Sequence, residues 1–138
     1  MTRKFPLLAV MLFTFFSCGK SGDVVPNVSV SFAEDINNPN LNALHSPGGA
    51  VFIPGYGIAG LIIYREPDMS YAAYDACSSY MPEKKCAVTI DGNSLTCTDP
   101  CSGAKFSLAD GTPVKAPATR SLRAYSINVS NFEIFVSN

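Results

Sequence analysis

The sequence has 138 residues, of which 47% are hydrophobic and 15% charged, with ten Gly and ten Pro. This length accommodates one domain of ordinary size, and the apolar fraction is typical of a folded globular chain rather than a disordered one. The formal net charge is −1, and Lys84-Lys85 is the one adjacent basic pair after the first twenty residues. We therefore expect no binding to nucleic acid, which requires clustered positive charge.

Residues 1–17 are predicted to be a lipoprotein signal peptide. They combine a basic start at Arg3-Lys4 with an apolar run from Phe5 to Phe16, and Ser17-Cys18 follows. The run is too short for a comfortable membrane span, which takes about twenty residues. A small residue before Cys resembles the lipobox of bacterial lipoproteins, although Phe15 stands where that motif usually has Leu.

The lipobox resemblance implies that Cys18 becomes the lipidated first residue of the mature protein. We therefore expect a protein of the cell envelope, lipid-anchored to the periplasmic or outer surface of a bacterial membrane. The alternative is an ordinary cleaved signal peptide, which would leave Cys18 as an odd free thiol. Residues 18–26 are mostly small and polar, as suits a flexible tether, and residues 27–138 are expected to form the domain.

The domain is predicted to be all-β, because short Val, Ile, Tyr and Phe runs recur between turns and long amphipathic patterns are missing. Alternation over Val28–Ala33 predicts a first strand, and a helical turn is expected around Leu41–Leu44. Gly57–Tyr64 is the most apolar stretch after the signal and is expected to be the central core strand. The strands predicted in this part are Ala50–Pro54, Gly57–Arg65 and Ser70–Asp75.

Cys86–Ile90 and Ser94–Cys97 are predicted to form a hairpin, because Asp-Gly between apolar runs is a strong turn signal. A two-residue turn at Gly92-Asn93 would pair Val88 with Cys97. In the last part of the domain, Phe132, Ile134 and Val136 are expected to share one face of a strand. The remaining predicted strands are Lys105–Ser107, Leu122–Val129 and Asn131–Val136.

Four cysteines lie in and around this hairpin: Cys77, Cys86, Cys97 and Cys101. In an exported protein we expect them to form disulfides. The hairpin register places Cys86 two residues beyond the partner of Cys97, so a direct bridge between these two is unfavourable. Two pairings remain, namely Cys77–Cys97 with Cys86–Cys101, or Cys77–Cys86 with Cys97–Cys101.

Residues 50–136 resemble the Rieske iron–sulfur domain. Its two loops read Cys-x-His and Cys-x-Cys-His-Gly-Ser-x-Phe, and they hold a [2Fe-2S] cluster with two Cys and two His. The matching residues here are Cys77-Ser78-Ser79 in one loop, Cys97 and Cys101-Ser102-Gly103-Ala104-Lys105-Phe106 in the other, and a tail from Asp110 to Ile127. The resemblance implies an antiparallel β-sandwich with two disulfide-linked loops at its tip.

The resemblance also implies roles for the loop residues. Cys77 and Cys97 match the cluster-ligating cysteines, whereas Ser79 and Ser102 stand where the ligand histidines belong. Cys86 and Cys101 match the family's disulfide between the loops. The expected pairing is therefore Cys86–Cys101, with Cys77–Cys97 as a second bridge that replaces the cluster.

No metal cofactor is expected. Serine is a poor ligand for a soft cluster, and His45, alone in an Asn- and Pro-rich segment outside both loops, is predicted to be a surface residue. The cysteine spacings also lack the paired Cys-x-x-Cys knuckles of zinc sites. Catalytic motifs are missing too, so no enzyme activity is expected, and Asp75, Asp99 and Asp110 are predicted to cap or solvate turns.

These expectations combine into an envelope lipoprotein whose Rieske-like domain has lost its cluster and serves as a binding or structural module. In the family the loop tip docks redox partners, so we expect an envelope protein or a glycan to bind there. The alternative is a [2Fe-2S] electron-transfer protein, which would be red-brown. A thiol–disulfide exchange protein is disfavoured, because no Cys-x-x-Cys begins a helix.

Overall fold

Ten strands form two antiparallel sheets in a computed structural model that describes residues 24–138. The predicted signal peptide and Cys18 lie outside the described residues. Within residues 24–138, no helix is both long and apolar enough to cross a membrane. The strands are β1 (Ser31–Asp35), β2 (Ala50–Ile53), β3 (Leu61–Arg65), β4 (Tyr71–Asp75), β5 (Thr89–Ile90), β6 (Thr96–Thr98), β7 (Lys105–Ser107), β8 (Pro113–Lys115), β9 (Ala124–Ser130) and β10 (Glu133–Ser137).

The larger sheet has the strand order β1-β10-β9-β4-β3-β2, and the smaller sheet has the order β5-β6-β7-β8. Two 3₁₀-helices, Pro39–His45 and Pro82–Lys84, are the helical elements of the described chain. The first confirms the helical turn predicted around Leu41–Leu44. The all-β prediction is therefore confirmed, with strands close to the expected segments.

Strand β3 is buried on both faces, which explains its unbroken apolar sequence. Leu61 and Ile63 pack into a cluster to which every strand of the larger sheet contributes, and the first 3₁₀-helix completes it. Ile62 and Tyr64 pack into a second cluster, which joins the larger sheet to β6 and β7. The strand predicted to be central thus separates two hydrophobic cores, although it lies one strand in from the sheet edge.

The predicted strand Gly57–Arg65 is four residues too long at its start. Gly57 and Gly60 have positive φ values of 65° and 120°. The amides of Ile58 and Ala59 donate to the carboxylate of Asp75 at 2.6 and 3.1 Å. Because these amides bind a side chain, they are not available to a neighbouring strand, and β3 begins only at Leu61.

The predicted hairpin exists, but its register was wrong by two residues. Ile90 pairs with Cys97, rather than Val88. A type I′ turn needs a positive φ at both central positions and a type II′ turn needs one at the first, whereas neither Gly92 nor Asn93 has a positive φ. Instead the Asn93 side chain accepts from the amides of Leu95 and Thr96, which makes a longer turn.

The two ends of the larger sheet differ. Strand β4 ends and β9 begins at one end, where the two cysteine-bearing loops also lie. At the opposite end, β9 turns into β10 through Asn131 and Phe132, which have φ values of 51° and 64°. Ile134 and Val136 share one face of β10, as predicted, and that face is buried. Phe132 lies in the turn and is 74% exposed, so the prediction that it shares their face was wrong.

Candidate functional site

Two loops meet at one end of the molecule. The first loop, residues 76–88, is closed by backbone hydrogen bonds from Ser78 to Cys86 and from Val88 to Ala76. The second loop, residues 98–105, is closed by hydrogen bonds between Asp99 and Ala104 and between Gly103 and Asp99. Each loop is thus held by hydrogen bonds within its own backbone, in addition to its contacts with the other loop.

A disulfide between Cys86 and Cys101 links the loops, as predicted, with a Cα–Cα distance of 6.3 Å. The hairpin brings the two cysteines to the same end. Thr89 lies opposite Thr98 and Ile90 opposite Cys97, so the segment that precedes β5 and the turn that follows β6 lie side by side. Cys86 is in that segment and Cys101 is in that turn, and their Cα separation is within the range that a disulfide spans.

Asp99 makes a second link between the loops. Its carboxylate is only 1% exposed. It accepts from the hydroxyl of Ser78 in the first loop at 2.8 Å and from the hydroxyl of Ser102 in its own loop at 2.6 Å. It also accepts from the amide of Cys101 at 2.8 Å. The three hydrogen bonds compensate for the hydration that the carboxylate loses on burial. Because they come from both loops, they also hold the loops in one arrangement.

The predicted second bridge, Cys77–Cys97, is not formed, and both residues are buried free thiols. Cys77 pairs with Ala87, whereas Cys97 pairs with Ile90 from the other edge of the same strand segment. Two strand spacings, about 9.6 Å in all, thus separate the cysteines across the sheet. This exceeds the roughly 6.8 Å that a disulfide tolerates between Cα atoms.

The two free thiols also have raised pKa values and therefore low reactivity. Burial raises the pKa of Cys77 to about 11, and the charges of Asp75 and Asp99 add to the increase. Burial raises the pKa of Cys97 to about 12, with a further contribution from Asp91. In the absence of a metal, the surroundings of both sulfurs favour the protonated thiol over the reactive thiolate.

The two serines that stand in the histidine positions are engaged by the protein. The hydroxyl of Ser79 donates to the backbone oxygen of Arg120 at 2.5 Å, and that of Ser102 donates to Asp99. His45, the one histidine of the chain, is exposed, as predicted, and its ring bonds the oxygen of Ile36 in another part of the fold. The donor set of a Rieske cluster, two Cys and two His, is therefore not assembled by these residues.

One other group of potential metal ligands lies between the loops. The sulfurs of Cys86 and Cys101 and an oxygen of Asp99 lie within 4.8 Å of one another. Both sulfurs are consumed by the disulfide, and the carboxylate is hydrogen-bonded to protein donors. In the disulfide-bonded state these three residues do not form a cation site.

A second buried carboxylate, that of Asp75, stabilises the start of the first loop. In addition to Ile58 and Ala59, it accepts from the amide of Cys77 at 2.8 Å and from the hydroxyl of Tyr125 at 2.7 Å. Burial raises the pKa of Tyr125 above its ordinary range, and the bond to Asp75 adds to this. The tyrosine therefore remains a donor at all physiological pH values.

The sequence analysis missed the importance of Ser78, Asp75 and Asp99. Both aspartates do cap turns as predicted, but they are buried rather than solvated. The signal in the sequence was weak, because Asx-turn patterns are the same at buried and at exposed positions. Asp110 has the same local pattern, accepting from the amide of Thr112 at 3.0 Å, and it is exposed.

Comparisons with known proteins agree with this fold. No protein-family model matches the chain. The plasma membrane Rieske protein PetC3 from Synechocystis PCC 6803 has a similar structure, with a TM-score of 0.53, 20% identity, and coverage of 80% of this chain and 98% of that chain. A chain from the complex of reduced oxygenase and oxidized ferredoxin in carbazole 1,9a-dioxygenase has a TM-score of 0.48 and 23% identity, covering 67% of this chain and 82% of that one.

Sequence similarity points to the same group of proteins. Ferredoxin CarAc of Metapseudomonas resinovorans is 30% identical over 91 residues, which are 66% of this chain and 82% of that protein. At this identity and coverage, together with the shared fold, the relationship is one of homology. The chain belongs to the family of Rieske-type ferredoxins and Rieske proteins.

Proposed function

We propose that this protein is a lipid-anchored envelope protein whose Rieske-type domain holds no iron–sulfur cluster and serves as a binding or structural module. The observation that carries the proposal is the Asp99 carboxylate, which occupies the space between the loops and bonds Ser78 and Ser102. The hydroxyl groups of the two loops thus bind a carboxylate of the protein in the space where the family holds its cluster. The relatives are ferredoxins and Rieske proteins rather than enzymes, and we propose no catalytic activity.

The chemistry of the ligand positions supports the loss of the cluster. A Rieske centre depends on two neutral imidazoles on one iron, which raise its potential above that of all-Cys clusters. Hydroxyl groups do not replace imidazoles on a soft metal centre. The two cysteines in the ligand positions lie on opposite edges of one strand segment and do not converge on a common point.

Partner binding is proposed at the loop tip. A cleft of about 250 Å³ is lined there by Ser79, Tyr80, Met81, Pro82, Thr119 and Arg120. Met81 is 38% exposed, and Lys84 and Lys85 are exposed beside it. The disulfide and Asp99 keep this surface rigid, which lowers the entropic cost of binding an envelope protein or a glycan.

Family membership favours the rival function, electron transfer through a [2Fe-2S] cluster. The decisive experiment is to purify the full-length protein from its native membrane without reductant. Iron and acid-labile sulfide are then measured, visible absorption is recorded, and free thiols are titrated before and after denaturation.

We expect a colourless protein with iron far below one atom per chain. We also expect two thiols, those of Cys77 and Cys97, which react with the titrant only after denaturation. A red-brown protein with two iron atoms and two sulfides per chain would establish the rival function. A protein with neither cluster nor free thiols would show that Cys77 and Cys97 are oxidised in the native compartment.

A further inference from the structure

A larger cleft lies at the opposite end of the larger sheet from the loops. It is a wide, open depression with a volume of about 640 Å³. It is bounded by the β9–β10 turn, by the segment that follows β1, and by the paired ends of β3 and β4. Its lining residues are Ile36, Asn37, His45, Arg65, Tyr71, Val129, Asn131 and Phe132.

Arg65 is held in one position in this cleft. It pairs with Tyr71 across β3 and β4. Its Nη1 donates to the oxygen of Leu44 at 3.0 Å and to the hydroxyl of Tyr71 at 2.7 Å. The guanidinium also lies 5.0 Å from the centre of the Tyr71 ring, at cation–π distance. A guanidinium fixed in this way binds a ligand with little further loss of entropy.

The edge of the guanidinium that carries Nε and Nη2 has no strong hydrogen-bond acceptor. Arg65 Nε is buried and has no hydrogen-bond partner. Arg65 Nη2 contacts only the sulfur of Met69, at 3.2 Å, and a thioether is a weak acceptor. No carboxylate among residues 24–138 forms an ion pair with Arg65. The Nε and Nη2 donors together form the edge that binds a carboxylate with two parallel hydrogen bonds.

The Met69 sulfur lies against the Nη2 end of this edge. The residue is 58% exposed and has a φ of 77° in the turn between β3 and β4. An unbranched side chain with three rotatable bonds moves aside at low cost. A carboxylate that displaced the Met69 sulfur would satisfy both the orphaned Nε and the underused Nη2.

Phe132 supplies the apolar side of the cleft. Its side chain is 74% exposed, and its φ of 64° lies in the left-handed region, which favours Gly over other residues. Val129 and Ile36 adjoin it in the lining of the cleft. A flat apolar group placed here would remove aromatic surface from water.

We propose that this cleft binds an organic carboxylate that carries a flat apolar group, with the acid on the Nε–Nη2 edge of Arg65 and the apolar group on Phe132. The ligand displaces the side chain of Met69. The site is separate from the loops, so the proposal holds whether or not the loops bind a cluster.

The test uses the full-length protein in detergent and 3-phenylpropanoate as the probe, followed by calorimetry or by NMR shifts. The neutral amide of the same acid and propanoate without the ring are the matched probes. We expect saturable binding of 3-phenylpropanoate with a Kd of about a few millimolar or below, which is the range for a ligand of this size that makes both contacts. Both matched probes should bind at least about tenfold more weakly, because each lacks one of the two recognised groups.

Variants then assign the contacts. Arg65→Lys keeps the charge but loses the bidentate edge and should weaken binding about tenfold or more. Phe132→Gly should weaken binding while leaving the fold intact, because Gly suits the turn. Met69→Ala should leave affinity unchanged or improve it, and Lys115→Gln, on an exposed strand of the smaller sheet, should change nothing.

The absence of saturable binding of 3-phenylpropanoate up to about 20 mM would overturn the proposal. Equal affinity for acid and amide, or unchanged affinity in both Arg65→Lys and Phe132→Gly, would do the same. A tripeptide that ends in phenylalanine is the last probe. Its affinity relative to 3-phenylpropanoate assigns the ligand either to a polypeptide terminus or to a free acid, and both fit the proposed chemistry.

Discussion

At the scale of single residues, Asp99 decides the arrangement of the loops. Its carboxylate satisfies the hydroxyls of Ser78 and Ser102 and the amide of Cys101 in a place without water contact. Removing this acceptor would leave the buried hydroxyl of Ser78 unsatisfied and would also break the bonds from the partly buried Ser102 and from the amide of Cys101. A buried donor without an acceptor costs more than a hydrogen bond contributes on average. The loops therefore depend on this side chain in addition to the disulfide.

Replacing Asp99 by Ala should lower the free energy of unfolding by about 3 kcal/mol or more, because three donors lose their acceptor. Urea unfolding of the oxidised protein measures this change. The control is Asp110→Ala, which removes the same kind of turn-capping carboxylate from an exposed position, and it should have a small effect. Similar losses in both variants would show that Asp99 is only a turn cap.

Gly57 is a second residue whose identity is determined by its surroundings. A Cβ at this position would lie 2.3 Å from Asp75 Oδ2 and 2.8 Å from the hydroxyl oxygen of Tyr125. Its φ of 65° adds a backbone cost for any other residue. The glycine thus lets the backbone approach the buried carboxylate closely enough to donate to it.

Gly57→Ala should destabilise the protein by about 3 kcal/mol or more, from steric overlap and backbone strain together. Gly55→Ala measures the cost of backbone strain alone. Gly55 has a φ of 87°, but a Cβ added there would meet no atom within 4 Å. We expect that variant to lose only about 1 kcal/mol. Thermal unfolding of the two variants gives the difference, and equal losses would contradict the close approach.

At the scale of elements, the β5–β6 hairpin is held by Asp91. Its carboxylate accepts from the hydroxyls of Thr96 and Thr98 at 2.5 and 2.7 Å, and it forms an ion pair with Lys105 at 3.0 Å. Burial alone would raise the pKa of Asp91, but the hydrogen bonds from Thr96, Thr98 and Lys105 lower it below its ordinary value. These contacts fix the longer turn, and with it the register that brings the loop cysteines together.

This lowered pKa predicts a pH dependence. A carboxyl group that is more acidic in the folded state contributes stability that is present above its unfolded pKa, about 3.9, and is lost as pH falls through the folded pKa. Asp91→Asn should therefore be less stable than wild type at about pH 6 and should lose less stability on acidification. Urea midpoints at about pH 6 and about pH 3 test this, with Glu133→Gln, which removes an exposed carboxyl group on β10, as the control. Parallel acid dependence in wild type and Asp91→Asn would refute it.

At the scale of the whole molecule, the start of the described chain lies at the loop end. Val25 is 4% exposed, and its backbone oxygen accepts from Arg123 Nε at 2.8 Å. Val24 and Val25 line a small cleft together with Ser79. Five residues lie between Cys18 and Val24, so the two Cα atoms are at most about 22 Å apart. An anchor on Cys18 would keep the loop tip near the membrane surface and leave the Arg65 cleft on the far side.

We predict that Cys18→Ala releases the protein from the membrane fraction, because the lipobox resemblance makes Cys18 the site of lipid attachment. Immunoblots of membrane and soluble fractions measure the distribution. Ser17→Ala keeps a small residue before the cysteine and should leave the protein anchored. Membrane retention of Cys18→Ala as complete as that of wild type would exclude lipidation as the cause of anchoring.

Local sequence patterns determined the fold class and most strand positions. The alternation of Ile134 and Val136 indicates a strand that is buried on one face. The unbroken apolar run in β3 indicates a strand that is buried on both faces, and this burial stabilises the strands. The family motifs around Cys77 and Cys101 likewise identified the two loops. The Cys86–Cys101 bridge was predicted from that resemblance, because it joins positions that the family also joins.

Only the tertiary structure decided the chemistry of the site. The carboxylate of Asp75 bonds the amide of Ile58, 17 residues away in the chain, and so shortens β3. No local pattern shows this bond. In the hairpin, the Asn93 side chain bonds its own turn and competes with the two-residue turn that the Asp-Gly pair favours. The register in turn placed Cys77 and Cys97 on opposite edges of one strand segment, so they remain thiols. The burial of Asp99 and the unsatisfied edge of Arg65 depend on contacts between residues far apart in the chain, which propensity and spacing do not encode.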